Sequence, residues 1–232
     1  MKPASHYLFL MILAPLLLTS FTNDIRVIAH PDSYRERHSA FAPYPSTPTL
    51  HTPNFTIDVK KSKVNWTGYY LFEFGEHRGT IEIIKGNLQT ADNEVTGGSF
   101  ELDMKSIRDV DMPKDDGGKD LETHLMSKDF FDVDNFPTAQ FQITKTEKIK
   151  EARPGQPNVD VFGDLTIKGV KNGIKFPALV TINENGVTAK ARFKFDRTKW
   201  EIKYNSGKFF ADAGDGAISD AIAIEIDLLT SK

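Results

Sequence analysis

From Phe55 onward, apolar and polar residues alternate with a period of two, in runs of strand length separated by turn residues. The clearest run is AISDAIAIEIDLL near the C-terminus. There Ile218, Ile222, Ile224, Ile226 and Leu228 share one face, and Ser219, Ala221, Ala223, Glu225 and Asp227 the other. Successive side chains of a strand point to opposite faces, so this pattern predicts a strand with one buried side. VTAKARFKF repeats it, with Val187, Ala189, Ala191, Phe193 and Phe195 set against Thr188, Lys190, Arg192 and Lys194. NENG joins this run to GIKFPALVTI and predicts an antiparallel hairpin, because Asn and Gly accept the positive φ of tight turns. NVDVFGDLTIKG, TAQFQITKTEKI, VTGGSFELDMKS, GTIEIIKGNLQT and KVNWTGYYLFEF supply five more strands, for about eight in all. Eight antiparallel strands can close on themselves, which removes the exposed edges of an open sheet. The predicted fold is therefore all-β, an eight-stranded antiparallel barrel.

One segment breaks the alternation. In GKDLETHLMSKDFF, Leu121, His124, Leu125 and Lys128 fall on one stripe at helical spacing, with Glu122, Ser127 and Asp129 turned away. This predicts a short helix over about 118–130, with Gly117 and Gly118 leading in and Asp120 well placed near a helix N-terminus. Phe130, Phe131, Val133 and Phe136 follow directly, and the helix is expected to plug one mouth of the barrel.

The ends of the chain read differently. Residues 1–20 carry one Lys and an apolar run from Tyr7 to Leu18, too short to cross ~30 Å of hydrocarbon, which is the layout of a signal peptide. Residues 21–54 hold Pro31, Pro43, Pro45, Pro48 and Pro53 and no sustained period, and read as a linker or tail. The barrel domain is assigned to 55–232. The absence of cysteine excludes disulfides and a lipid anchor on Cys.

With 29 basic residues interleaved among 32 acidic ones and a net charge of −3, the chain lacks the concentrated basic face that nucleic acid requires. Catalytic and metal signatures are weak as well. His6, His30, His38, His51, His77 and His124 are scattered, and there is no HxxxH, no GxSxG and no Gly-rich phosphate loop. DVDMPKDDGGKD has the acid density of a calcium loop, but a glycine at the sixth position would put Met112 or Pro113 at the first ligand position, so a solvated loop is predicted. The aromatic content is skewed, with 17 Phe against 6 Tyr and 2 Trp. Phe100, Phe141, Phe176, Phe193, Phe195 and Trp66 fall on predicted inward faces, a lining suited to hydrocarbon and poor for sugars or phosphates. Taken alone, this fits a ligand cavity or a solid aromatic core.

Four ordered motifs carry a family likeness. HLMSKDFFDVDNFPTAQF, then FGDLTIKGVKNGIKFPA, then FDRTKWEIKYNSG, together with the opening SKVNWTGYYLFEFGEHRGTIEIIKGNL, resemble the YceI-like family over about residues 55–232. The resemblance implies a lipocalin-like barrel, exported to the bacterial periplasm or secreted, that holds a long amphiphile such as a polyisoprenoid. His124 matches the family's helix histidine, and Phe130 and Phe131 its aromatic pair. The basic residue usual ahead of that histidine is absent here, where the order is Asp120, Leu121, Glu122, Thr123, His124.

On this basis the ligand-contacting residues are expected to be Trp66, Phe100, Leu102, His124, Leu125, Phe130, Phe131, Phe141, Phe176, Phe193, Phe195 and Trp200. His124 is read as the polar contact at the mouth, the alternative being a core histidine bonded to a carbonyl. Trp200 is read as a cap of the far end or a loop anchor, and Asp196 with Arg197 as a local ion pair. The chain is read as a carrier with no cofactor beyond a bound lipid, no metal and no catalytic residues. That reading allows transient membrane contact and a homodimer. Two others stay open: a barrel enzyme acting on such a lipid through His124 and Glu73, and a stress-associated interaction module with a filled barrel.

Overall fold

The alternation becomes a sheet that curls until its two edges meet. The computed structural model of the chain describes residues 53–72, 75–210 and 216–230. Among these described residues nine strands run in order: β1 (Asn54–Thr56), β2 (Lys63–Tyr69), β3 (Glu76–Ala91), β4 (Glu94–Asp109), β5 (Thr138–Lys148), β6 (Val159–Ile167), β7 (Val170–Asn183), β8 (Gly186–Asp196) and β9 (Ala221–Leu229), with one α-helix, α1 (Lys119–Met126), between β4 and β5. Every pairing between these strands is antiparallel, and β3 pairs with both β2 and β4, so strands β2 to β9 close an eight-stranded barrel. The short β1 lies beside the far half of β3, where Phe55 faces Leu88, and extends the wall beyond β2.

Local chemistry sets the hairpins. Asp92 and Asn93 both take positive φ between β3 and β4, and Lys168 and Gly169 do so between β6 and β7. These are two-residue turns of the hand that matches strand twist. At NENG only Gly186 takes positive φ (+130°), where a side chain would also meet Thr230; Asn185 does not.

The predicted opening strand overshoots. β2 stops at Tyr69, and Leu71 and Phe72 stand exposed beyond it. The helix is shorter than predicted because Ser127 takes extended backbone after Met126, so Lys128, expected on the apolar stripe, lies outside it and is exposed. Glu122, expected to turn away, is held inward. Its Oε1 accepts from the Asp109 N–H at 2.8 Å and from the Lys114 ammonium, which ties α1 to the end of β4.

Buried residues form two groups along the barrel. Val95, Val161, Val187 and Leu228 lie toward the hairpin end, and Met104, Phe130, Trp200 and Ile202 toward the end that carries α1. At 16 residues each, β3 and β4 span roughly 40 Å along the axis, for a rise of ~3.3 Å per residue and a tilt of ~40°. Both strands carry bulges. A register shift between Ile83 and Lys85 moves the inward positions of β3 from Ile81 and Ile83 to Leu88 and Thr90, leaving Ile84 exposed. A larger irregularity in β4, bridged by Ser106, which accepts from the Glu82 N–H at 2.7 Å and donates to the Asp103 carbonyl at 2.6 Å, moves the inward set from Leu102 and Met104 to Ile107 and Asp109.

Candidate functional site

The two core groups do not meet in a solid centre. Between them runs a cavity of about 260 Å³, just under the ~300–1,000 Å³ usual for small-molecule sites. Its wall spans the barrel from Leu121, Leu125, Phe130 and Ile107 at the α1 end to Val95, Thr146, Val159 and Val180 at the hairpin end. Every strand from β2 to β9 contributes to it.

Of the twelve residues expected from sequence, ten line this cavity: Trp66, Phe100, Leu102, Leu125, Phe130, Phe131, Phe141, Phe176, Phe193 and Phe195. Four of them form a run of rings across the wall. Phe193 stacks on Phe176 at 4.2 Å between centroids, Phe176 meets Phe141 at 5.6 Å, and Phe141 meets Phe100 at 6.3 Å. Glycine makes room for these rings. A Cβ at Gly163 would lie 2.4 Å from the Phe141 ring, and one at Gly79 would lie 2.3 Å from the Trp66 ring and 1.9 Å from the Arg108 carbonyl oxygen.

His124 and Trp200 stand outside the lining. The His124 ring packs edge-on against Phe130 at 5.0 Å and Tyr204 at 4.7 Å, and its Nε2 lies 3.1 Å from Asp129 Oδ2. Leu121 and Leu125 take the inward positions of this short helix and leave His124 on its flank. Trp200 is fully buried behind the wall, with Nε1 donating to the Leu165 carbonyl at 2.9 Å and its ring edge-on to Phe195. It anchors the 3₁₀ turn at Arg197–Trp200. Arg197 is buried as well and does not pair with Asp196 as expected. It donates to the carbonyls of Ser219, Ile202 and Ile218, with Asp220 at 3.9 Å, and burial pulls its pKa down against the pull of Asp220 and Asp196. Glu73 lies outside the described residues.

At the α1 end Tyr70 and His77 line the wall, and the Tyr70 hydroxyl lies 3.4 Å from His77 Nε2. Next to them the stretch expected to be a solvated loop begins with a buried residue. Asp109 is only 2% exposed, because the β4 bulge turns it inward. Burial pushes its carboxyl above the ordinary range, and the neighbouring Asp111 adds to this against the pull of the Met112 N–H. Burial acts upward on Glu122 too, but the Lys114 ammonium and the Asp109 N–H outweigh it and hold that carboxyl low. Period-two reading missed Asp109 because a bulge reverses parity without leaving a mark in residue type, and it missed His77, which is in phase with Ile81 and Ile83, because the strand was read as starting at Gly79. It found the Phe and Ile wall because that signal repeats on several strands.

A closed antiparallel barrel of eight strands around an apolar cavity, with a short helix at one end, is a barrel of the lipocalin class. Within that class the chain belongs to the YceI-like family, whose domain model matches residues 55–229. It is 26% identical over 168 residues to a UPF0312 protein of Pseudomonas putida (strain W619), covering 72% of this chain and 77% of that protein. Among solved structures, BcnA of Burkholderia cenocepacia superposes with a TM-score of 0.56 at 21% identity, covering 74% of this chain and 98% of BcnA. A polyisoprenoid binding domain from Saccharophagus degradans, implicated in plant cell wall breakdown, superposes with a TM-score of 0.55 at 14% identity, covering 76% of this chain and 97% of that domain.

Proposed function

We propose that the protein binds a long-chain amphiphile of isoprenoid type along the axis of its barrel and acts as a carrier or buffer for it in the periplasm or outside the cell. The observation that carries this reading is the continuous apolar cavity that joins the two core groups from end to end. A barrel serving only as an interaction module would gain stability by filling that space, since each unfilled volume forfeits packing contacts. The polyisoprenoid-binding domain with the same fold and the leader-like first twenty residues support the guest class and the export. At about 0.8 kcal/mol per buried methylene, ten of them gain about 8 kcal/mol before the cost of ordering the chain. Few polar contacts are then needed. Leu71, Phe72, Phe209 and Phe210 are exposed near the α1 end and offer such a guest an oily path from a membrane surface. The protein is read as a binder rather than an enzyme, because His124, one of the two proton carriers of the enzyme reading, lies off the lining.

Native mass spectrometry of the protein purified from its own organism, followed by organic extraction, tests this. A stoichiometric prenyl or acyl lipid is expected, and a barrel that comes out empty and takes up no hydrophobic probe would contradict it. Phe193→Asp, which puts a charge on the wall, is expected to abolish uptake, while Lys194→Asp on the outer face leaves it intact.

A further inference from the structure

Among the described residues, four buried side-chain nitrogen or oxygen atoms lack a hydrogen-bond partner, and two of them, His77 Nδ1 and Asp109 Oδ2, belong to one cluster. The third member is Asp111, and one ligating atom from each of the three residues lies within 4.8 Å of the other two. We propose that His77, Asp109 and Asp111 form a binding site for a divalent transition cation of the Zn²⁺ type, at the α1 end of the barrel.

Each of the three side chains is held by a neighbour outside the cluster. His77 Nε2 lies 3.4 Å from the Tyr70 hydroxyl, Asp109 Oδ1 accepts from the Met112 N–H at 2.7 Å, and Asp111 Oδ1 accepts from the Arg78 N–H at 2.8 Å. In every case one polar atom is anchored by a neighbour, and the other is left to the cluster. Such outer partners fix the orientation of metal ligands and are half of a working site. His77 Nδ1 lies 3.4 Å from Asp111 Oδ2 without the alignment of a hydrogen bond. Ligands on tetrahedral zinc at about 2.1 Å also stand about 3.4 Å apart, so the pair already has the separation the ion would impose. Asp109 supplies the strongest demand. A carboxylate buried to this depth beside a second one is costly unless a cation compensates it, and no Lys or Arg side chain pairs with it among the described residues.

One imidazole and two carboxylates suit zinc and its first-row neighbours better than calcium, which wants six to eight oxygens. Three protein ligands leave at least one coordination position open. His77 and Tyr70 both line the lumen, so the site sits beside the α1 end of the cavity. The site does not depend on whether a lipid occupies the lumen.

Calorimetric titration of the full chain with zinc chloride tests it, in parallel with a variant in which His6, His30, His38 and His51 are all Ala, so that the N-terminal histidines cannot account for the signal. One Zn²⁺ per chain at micromolar affinity or better is expected in both. Asp111→Asn and His77→Gln are each expected to weaken it about 100-fold, and His124→Ala to leave it unchanged. No stoichiometric binding, or equal binding in Asp111→Asn, would overturn the assignment. Should the variants misfold, an anomalous difference peak from zinc in crystals of the unmodified protein decides the matter: between the three side chains it supports the site, and elsewhere it refutes it.

Discussion

Asp196 shows how much one side chain settles at the junction of β8 and the 3₁₀ turn. Its carboxylate caps that turn, accepting from the Thr198 N–H at 3.0 Å and its hydroxyl at 2.6 Å, and it meets the Lys208 ammonium at 3.0 Å. Lys208 in turn reaches Asp220 at 2.9 Å, and Asp220 faces Arg197. Burial acts upward on the Asp196 pKa, but the Thr198 and Lys208 bonds outweigh it and the net shift is downward. A carboxyl whose folded value lies below its unfolded value of about 3.9 stabilises the fold fully above that pH, and loses this as pH falls through the folded value. Asp196→Ala should therefore cost about 1 kcal/mol at neutral pH, the usual loss of such a cap. In urea unfolding the gap to the unmodified protein should close below about pH 3.9. A gap that stays constant into acid would show that the charge is not what matters there.

At the level of elements, what the sequence reveals is the repeated signal. Alternation over β8 and β9 places Ala189, Ala191, Phe193, Ile222, Ile224 and Ile226 on the inner wall, where the structure has them. What it hides are one-residue events. The β4 bulge carries Asp109 inward, and no residue type announces it; Ser106, which bridges the bulge, reads in isolation as an ordinary inward slot of a strand. The helix stripe failed for a related reason: with eight residues, α1 can turn only Leu121 and Leu125 to the lumen, and His124 falls on its flank. Glycine positions carry information that residue type gives only together with a partner. Trp66 pairs across strands with Gly79, and a methyl group there would collide with both the indole and the Arg108 carbonyl. Gly79→Ala is expected to destabilise by about 3 kcal/mol or more in urea unfolding, whereas Gly173→Ala on β7, where a Cβ meets nothing within 4 Å, stays near neutral. Equal effects would mean that the Trp66 and Gly79 contact does not set the packing of this wall.

For the whole molecule, closure and hollowness go together. A barrel of eight strands has an interior that side chains can just fill, or that can hold one small ligand. Here the Phe run crosses the wall from β4 to β8 and leaves the cavity open beside it. The family resemblance told the two outcomes apart where composition did not, because whether aromatic rings fill a space or border it depends on the glycines opposite them. The most direct test of the account is the transfer of prenyl alcohols of increasing length from lipid vesicles to the protein. If the guest lies along the axis, affinity should climb with each added isoprene unit and level off once the cavity is full, and Phe193→Asp should flatten the whole series. Affinity that ignores chain length, or a series unchanged by Phe193→Asp, would contradict a guest held in the lumen.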